Sequence, residues 1–576
     1  MGDNENRKVY KARQVKNYRE MVEYSCKNYA QNIAYKYKKD YTAKNVEYIE
    51  KTYEQVGKDI KAFGTGLLNL DLMGERIVVV GKNRYEWCIS YLATTCSNMV
   101  IVPIDKALPD IEMQRLIERS EAKAIIFDEK YLETIKKVQE KENSNLKTLI
   151  CMDNIQEKGI KTFNEILEEG RNQIKNGDQK YDNIEIDENK MSIMLFTSGT
   201  TNEPKAVMLS QANICANISN IACWVKLYPT DVLLSFLPIH HTFECTITFL
   251  YGFYSGSQVA FCDGLKHIQQ NLKEYKVSVF VAVPLVLETM YKKIQKAIEE
   301  QGKTGLINKM TKISNTLLKA KIDIRKIIFK QILNNFGGHL RVVLYGAAPM
   351  NKATIIGYNN LGISLVQGYG LTETSPVVTA ETDKEKRPGS IGLALANLNL
   401  KIANPDNEGV GEITVKGPSV MLGYYKNPEE TKKVLKDGWF STGDYGYKDK
   451  DGFVYITGRK KDIIVLKNGK NVYPQEIEFL INKIPYIAES LVYSRDKDTT
   501  DTMLCAKIVY DKDAIKQMIG EKTEEEYKEI IWQEIKKINQ ELPIFKKIKN
   551  ITITTEPLKK TTTQKVKRYE ELKNLT

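Results

Sequence analysis

From Tyr48 onward, short apolar runs of strand length alternate with segments of helical spacing, and this rhythm constrains the fold most strongly. Residues 76–81, 100–104, 124–128 and 149–153 are apolar runs with little polar alternation, and 87–96 has helical spacing. Strands of this kind are buried on both faces. They predict an α/β fold whose large N-terminal region holds parallel-rich sheets covered by helices. The rhythm resumes at 232–237, 259–262, 277–283, 340–345 and 364–367. Past Gly389 it gives way to short strands and tight turns at 411–417 and 452–457, which predicts a β-rich subdomain. Strand candidates at 463–466, 488–493, 503–510 and 551–555 flank a helix opened by a capping box of Thr523 and Glu526. That last part reads as a small α+β domain. At 576 residues the chain exceeds what one core supports. The expected domains are 1–460 and 461–576.

Nine cysteines without a regular framework suit a reducing compartment, and four dispersed histidines give no zinc-site spacing. The N-terminus has no apolar core and position six is Asn6, so neither a signal peptide nor myristoylation is expected. No apolar run reaches the ~18 residues of a membrane span. The net charge of +12 could serve nucleic acid, an anionic membrane or polyanionic ligands. With no zinc-finger spacing and no aromatic RNA-binding signature, no nucleic acid is expected. A long helix is expected over 310–336, where Lys312, Lys319, Lys321, Arg325, Lys326 and Lys330 face one acid, Asp323. A solvated charged face or a weak contact with lipid headgroups would each account for it.

The loop from Thr197 to Ser210, which opens Thr197-Ser198-Gly199-Thr200-Thr201-Asn202-Glu203-Pro204-Lys205, follows the apolar run 191–196 and leads straight into a helical pattern that Ser210 is placed to cap. Its hydroxyls, free N–H groups and one lysine suit a phosphate, although it lacks the Gly-Lys-Ser/Thr ending of a P-loop. Further on stand Tyr345-Gly346-Ala347-Ala348-Pro349, Gln367-Gly368-Tyr369-Gly370-Leu371-Thr372-Glu373, Ser441-Thr442-Gly443-Asp444, Gly458-Arg459-Lys460-Lys461-Asp462 and a polar loop holding Lys565. Small residues after a strand let a flat ring lie against the backbone. An acid in a turn can accept hydrogen bonds from a diol.

In this order, across roughly residues 48–569, these motifs resemble the adenylate-forming superfamily of acyl-CoA synthetases, adenylation domains and luciferases. The resemblance implies ATP-dependent formation of an acyl-adenylate, then transfer of the acyl group to a thiol. It implies that Thr197, Ser198, Gly199, Thr200, Thr201 and Lys205 bind phosphate, and that Thr200 and Glu373 hold Mg²⁺. Gly346, Ala347, Ala348, Gln367, Gly368, Tyr369, Gly370 and Thr372 would form the nucleotide pocket, with Ala347 and Tyr369 around adenine. Asp444 and Arg459 would hold the ribose, His241 would stand beside the carboxylate, and Lys565 would neutralise charge in the first half-reaction. Lys461 would be the hinge of a mobile C-terminal domain. Asn202, Ala206 and Gln564 stand where the family usually has glycine. The segments 336–341 and 437–459 resemble long-chain fatty-acid ligases, with an aryl-acid ligase or a catalytically silent binding relative as alternatives. Expected partners are a fatty acid, ATP and CoA, with weak peripheral membrane contact and a homodimer compatible with the reading. The expected location is the cytoplasm or the inner face of its membrane.

Overall fold

The computed structural model describes residues 7, 9–197, 203–466, 471–496, 502–560, 566–573 and 575. Two compact units form. The first comprises Met1–Leu400 and Val415–Phe440, the second Lys401–Thr414 and Ser441–Thr576.

The first unit holds two large sheets. One has eight strands in the order Gly423–Tyr424, Lys205–Ser210, Met191–Thr197, Val100–Pro103, Arg76–Val80, Ala124–Phe127, Thr148–Cys151 and Ile160–Thr162. From Met191–Thr197 through Ile160–Thr162 the pairings are parallel. Every residue of Val100–Pro103 and Ala124–Phe127 is buried, because helices such as Tyr85–Cys96 and Asp110–Ser120 cover the sheet. The other sheet has nine strands, with Val232–Ser235, Gln258–Phe261, Val279–Ala282, Val342–Tyr345 and Ser364–Gly370 at its parallel centre.

Two sequence expectations need correction. The phosphate loop does not lead from a strand straight into a helix, because residues 205–210 form a strand of their own. Met191–Thr197 and Lys205–Ser210 pair antiparallel, and the helix Gln211–Trp224 starts only after them. Ser210 does cap that helix: its Oγ accepts from Asn213 N at 3.1 Å, and Asn213 Oδ1 accepts from Ser210 N at 2.9 Å. The second correction concerns 310–336, which is not one helix. The helix Thr304–Lys319 ends before Lys321, whose φ of +63° no helix accommodates. Short turns at Arg325–Ile328, Lys330–Leu333 and Asn334–Phe336 follow.

The second unit contains a three-stranded sheet of Ile487–Asp496, Thr502–Tyr510 and Asn550–Thr554, packed by the helices Pro474–Ile481 and Glu524–Glu541. The Thr523–Glu526 capping box forms as expected, with Thr523 N donating to Glu526 Oε2 at 2.8 Å. Among the described residues, no helix is long and apolar enough to cross a membrane.

Candidate active site

The hairpin brings Thr197 opposite Lys205, and Thr197 Oγ1 donates to Lys205 O at 3.4 Å. Ser198, Gly199, Thr200, Thr201 and Asn202, between them, lie outside the described residues. Lys205 Nζ lies 2.6 Å from Glu430 Oε2 and 5.0 Å from the centre of the Tyr424 ring. Glu430 is placed by the helix Pro428–Val434, which Asn427 caps and Pro428 opens. Hydrogen bonds from Lys205 and Lys433 pull its carboxyl down to about 2.

Tyr424 is fixed by strand pairing with Val207, and its hydroxyl donates to Glu373 Oε1 at 3.0 Å. Burial and the neighbouring Glu373 carboxylate push the phenol well above its usual range. The tyrosine therefore stays a proton donor to Glu373 while its ring face meets the Lys205 ammonium. One side chain thus links the base of the phosphate hairpin to the acid that the resemblance gives to Mg²⁺.

Val342–Tyr345 and Ser364–Gly370 run parallel with Tyr345 opposite Gln367, and Tyr345 Oη donates to Gln367 Oε1 at 2.9 Å. Ala347 follows the carboxyl end of the first strand by two residues, and Tyr369 lies next to the last residue of the second, where it pairs with Thr379. This edge is where open α/β sheets bind ligands. Glycine is required in this corner. A Cβ on Gly346 would meet Gly368 O at 2.7 Å, and one on Gly370 would meet Pro376 O at 1.8 Å. Ala347 itself has a φ of +71°, and Ala347 and Ala348 are exposed. Thr372 Oγ1 lies 3.5 Å from Thr242 Oγ1, which brings the segment after His241 to the Thr372–Glu373 turn.

His241 precedes the short helix Thr242–Glu244, and its carbonyl accepts from Cys245 N at 2.9 Å. The His240 ring lies 5.7 Å from that of His241, and His240 Nε2 is 3.7 Å from Asp105 Oδ2. Burial pushes the His240 pKa down, against the pull of Asp105. Three residues after His241 stands Glu244, fully buried, accepting from Ser235 Oγ at 2.7 Å and Thr248 Oγ1 at 2.9 Å. Asn83 Nδ2 donates to Ser235 Oγ at 2.9 Å and to Leu237 O at 2.7 Å, so the network ties the segment before the histidines to both sheets. Burial raises the Glu244 carboxyl from 4.5 to about 8. A π-helical stretch, Cys245–Tyr251, follows it.

In the second unit Asp444 and Arg459 stand opposite each other on paired strands, Arg459 Nε 2.8 Å from Asp444 Oδ1. The carboxylate is buried and the guanidinium half-exposed. Asp444 lies within the strand Trp439–Lys448 and not in the turn expected from the sequence, because 439–448 pairs with Val454–Arg459; beside it Glu412 accepts from Gly443 N at 3.2 Å and pairs with Lys460 Nζ at 2.8 Å. Lys461 sits in the 3₁₀ turn Lys460–Asp462, and partial burial lowers its pKa. Lys565 lies outside the described residues, yet its flanks are held firmly. Lys560 bridges to Val566, Lys567 N donates to Lys559 O at 2.8 Å, and Arg568 binds Glu478 Oε1 and Val492 O, each at 2.6 Å.

Among the described residues, no group of three or more His, Cys, Asp or Glu could hold a metal. The donor set fits Mg²⁺ nonetheless. This ion usually takes one or two protein carboxylates and completes its shell with water and substrate phosphate, and Glu373 offers one such carboxylate beside the phosphate hairpin.

Sequence reasoning missed Tyr424, Glu430 and Glu244. Asn427-Pro428-Glu429-Glu430 is a legible helix start, but only strand pairing shows that it faces Lys205. Glu244 carried no signal beyond being an acid in an apolar stretch.

The family described as "AMP-binding enzyme" matches residues 22–425, and "AMP-binding enzyme C-terminal domain" matches 461–575. Long-chain-fatty-acid–CoA ligase 6 of Mus musculus is 30% identical over 498 residues, covering 81% of this chain and 70% of that protein. A chloroplastic long-chain-fatty-acid–[acyl-carrier-protein] ligase of Arabidopsis thaliana is 28% identical over 564 residues, 85% of this chain and 76% of that one. Among solved structures, the anthranilate CoA ligase AuaEII in complex with anthranoyl-AMP superposes with a TM-score of 0.76 at 18% identity, over 98% of each chain. A Mycobacterium tuberculosis fatty acyl CoA synthetase superposes with 0.65 at 21% identity, over 97% of this chain and 98% of that one. The two structures share the adenylate-forming fold with this chain, and the sequence matches decide the rest: the chain belongs to the AMP-binding enzyme family, as an AMP-forming acid–thiol ligase.

Proposed function

We propose that the enzyme activates a medium- or long-chain fatty acid with ATP and Mg²⁺ and passes the acyl group to CoA. In the first half-reaction a carboxylate oxygen bonds to the α-phosphorus, the bond to the β-phosphate oxygen breaks, and pyrophosphate leaves. In the second, a thiol sulfur bonds to the acyl carbon, the acyl–oxygen bond breaks, and AMP departs. A carboxylate is a poor electrophile, and the mixed anhydride gives it a good leaving group. Positioning and cations supply most of such catalysis.

The observation that carries the reading is the linkage of Lys205, Tyr424 and Glu373 beside the Gly346–Gly370 corner. In this reading Thr197–Thr201 and Lys205 bind the phosphates, Thr200 and Glu373 hold Mg²⁺, and Ala347 and Tyr369 enclose adenine. Asp444 and Arg459 hold the ribose, and His241 stands beside the acid. When bound, Mg²⁺ would neutralise phosphate charge. Lys565 stabilises the charge of adenylate formation, and rotation about Lys461 of a C-terminal domain spanning 461–576 withdraws it before the thiol attacks. A homodimer and contact with lipid belong to the same reading.

The substrate class rests on the mouse relative's name and on the segments 336–341 and 437–459. The Arabidopsis relative supports a second reading of the acceptor alone, a carrier-protein thiol. The test is a panel of short-chain, long-chain and aryl acids assayed for AMP formation with and without CoA. Highest kcat/KM for a medium- or long-chain acid, with CoA required for thioester, is the expected result. Benzoate or acetate outpacing all of these would overturn the substrate assignment.

A further inference from the structure

Between Lys303 and Phe336 the sequence holds eight lysines and arginines against one acid, a net +7 out of the chain's +12. The structure shows what these residues meet. Asp323 is taken up by Arg325, whose Nε and Nη2 donate to its two oxygens at 2.9 and 2.7 Å. Among the described residues, none of the seven lysines in this stretch forms an ion pair; those nearest to them are Arg325–Asp323 and Lys296–Glu300.

The inner side of the segment is satisfied. Ile307, Met310, Ile328 and Ile332 pack against the core around Phe329, Leu333 and Tyr358. The outer side is not uniformly polar, as a solvated face would be: aliphatic side chains are exposed among its lysines. Leu306, Ile313, Ile322 and Ile327 are 55, 49, 51 and 75% exposed. On the helix Thr304–Lys319, Leu306, Lys309 and Ile313 follow at i, i+3 and i+7 and so share one face, while Lys312 and Lys319 form the stripe beside it. Exposed aliphatic side chains interleaved with unpaired ammonium groups combine two terms. The first favours insertion below a headgroup layer, and the second favours negative charge at that layer.

We propose that the segment 303–330 is a docking surface for an anionic lipid bilayer, with Leu306, Ile313, Ile322 and Ile327 entering the interface and the lysines between them meeting lipid headgroups. An acidic protein would answer the lysines but gives no reason for four exposed aliphatic residues, so lipid is the occupant the surface favours. The segment follows directly from Val279–Ala282 and the helix Pro284–Glu300, so docking would hold the first unit where a fatty acid partitions. This purpose rests on the fatty-acid reading; the docking itself does not.

The test is vesicle sedimentation of the full-length protein, without ATP or fatty acid, using phosphatidylcholine vesicles with and without phosphatidylglycerol. Binding to the anionic vesicles alone is expected, weakened at least ~10-fold by 0.5 M salt because exposed charge is screened. Lys309→Glu/Lys312→Glu/Lys319→Glu/Lys326→Glu should lose at least ~10-fold in affinity. Ile313→Ser/Ile327→Ser should lose several-fold while keeping the charge. Both variants change exposed side chains only, and unchanged melting temperatures would show that they fold. Three results would each overturn the proposal: equal binding to neutral and anionic vesicles, no effect of the lysine changes, or no effect of the isoleucine changes together with equal capture by an acidic polypeptide. Because no substrate is present, failure here leaves the ligase reading standing, and a failed acid panel leaves docking standing.

Discussion

Glu244→Gln tests whether the buried acid of the short helix after the histidines is neutral. Burial without a facing cation raises its carboxyl from 4.5 to about 8, so the folded state holds a proton that the unfolded chain releases above pH 4.5. Stability from this group is complete at low pH. It falls by up to ~1.4 kcal/mol per pH unit between 4.5 and about 8, roughly 4 kcal/mol in all. The charged and titratable neighbours do not offset this loss, because Cys88, Cys245 and Cys262 are thiols pushed upward by burial. Glutamine cannot ionise, but its amide can accept only one of the two hydroxyl bonds, from Ser235 and Thr248, which costs about 1 kcal/mol. The variant should therefore be slightly less stable than wild type at pH 5, cross it near pH 5–6.5, and be more stable by about 3 kcal/mol at pH 8. Thermal unfolding followed through tryptophan would show this, since three of the four tryptophans, Trp87, Trp224 and Trp439, lie in the first unit. Parallel melting curves for the two proteins across that pH range would refute a neutral Glu244.

Glu373→Gln keeps the size and removes the charge, so adenylate formation should fall by ~10² or more while the melting temperature holds; near-normal activity at ordinary Mg²⁺ would sink the assignment. Tyr424→Phe, which loses only the hydroxyl on Glu373, should raise the Mg²⁺ concentration needed for half-maximal rate with a smaller change in kcat, read from a magnesium titration. Lys565→Ala should slow adenylate formation by ~10² or more and leave thioester formation from presynthesised acyl-adenylate near normal, whereas Lys461→Pro should do the opposite. Equal slowing of both half-reactions by Lys565→Ala would mark that lysine as structural.

Much of the fold could be read from apolar periodicity, because buried parallel strands such as 100–103 and 124–127 tolerate no other pattern. The 205–210 strand is not legible in the sequence, because its residues follow a polar loop at once and its strand character comes from pairing with Met191–Thr197. The break within 310–336 leaves no mark in the sequence, because helical spacing continues across Lys321, where the backbone turns left-handed. In the site, motif residues were legible one by one. Their partners were not: Tyr424 reaches Glu373 across 51 positions and Lys205 meets Glu430 across 225, separations that only the fold closes.

The most direct measurement is exchange of labelled pyrophosphate into ATP, with fatty acid present and CoA absent. Reversible adenylate formation predicts exchange that depends on a medium- or long-chain acid and on Mg²⁺, and that is lost in Glu373→Gln. Exchange that no carboxylic acid stimulates, although the protein is folded and binds ATP, would contradict the account.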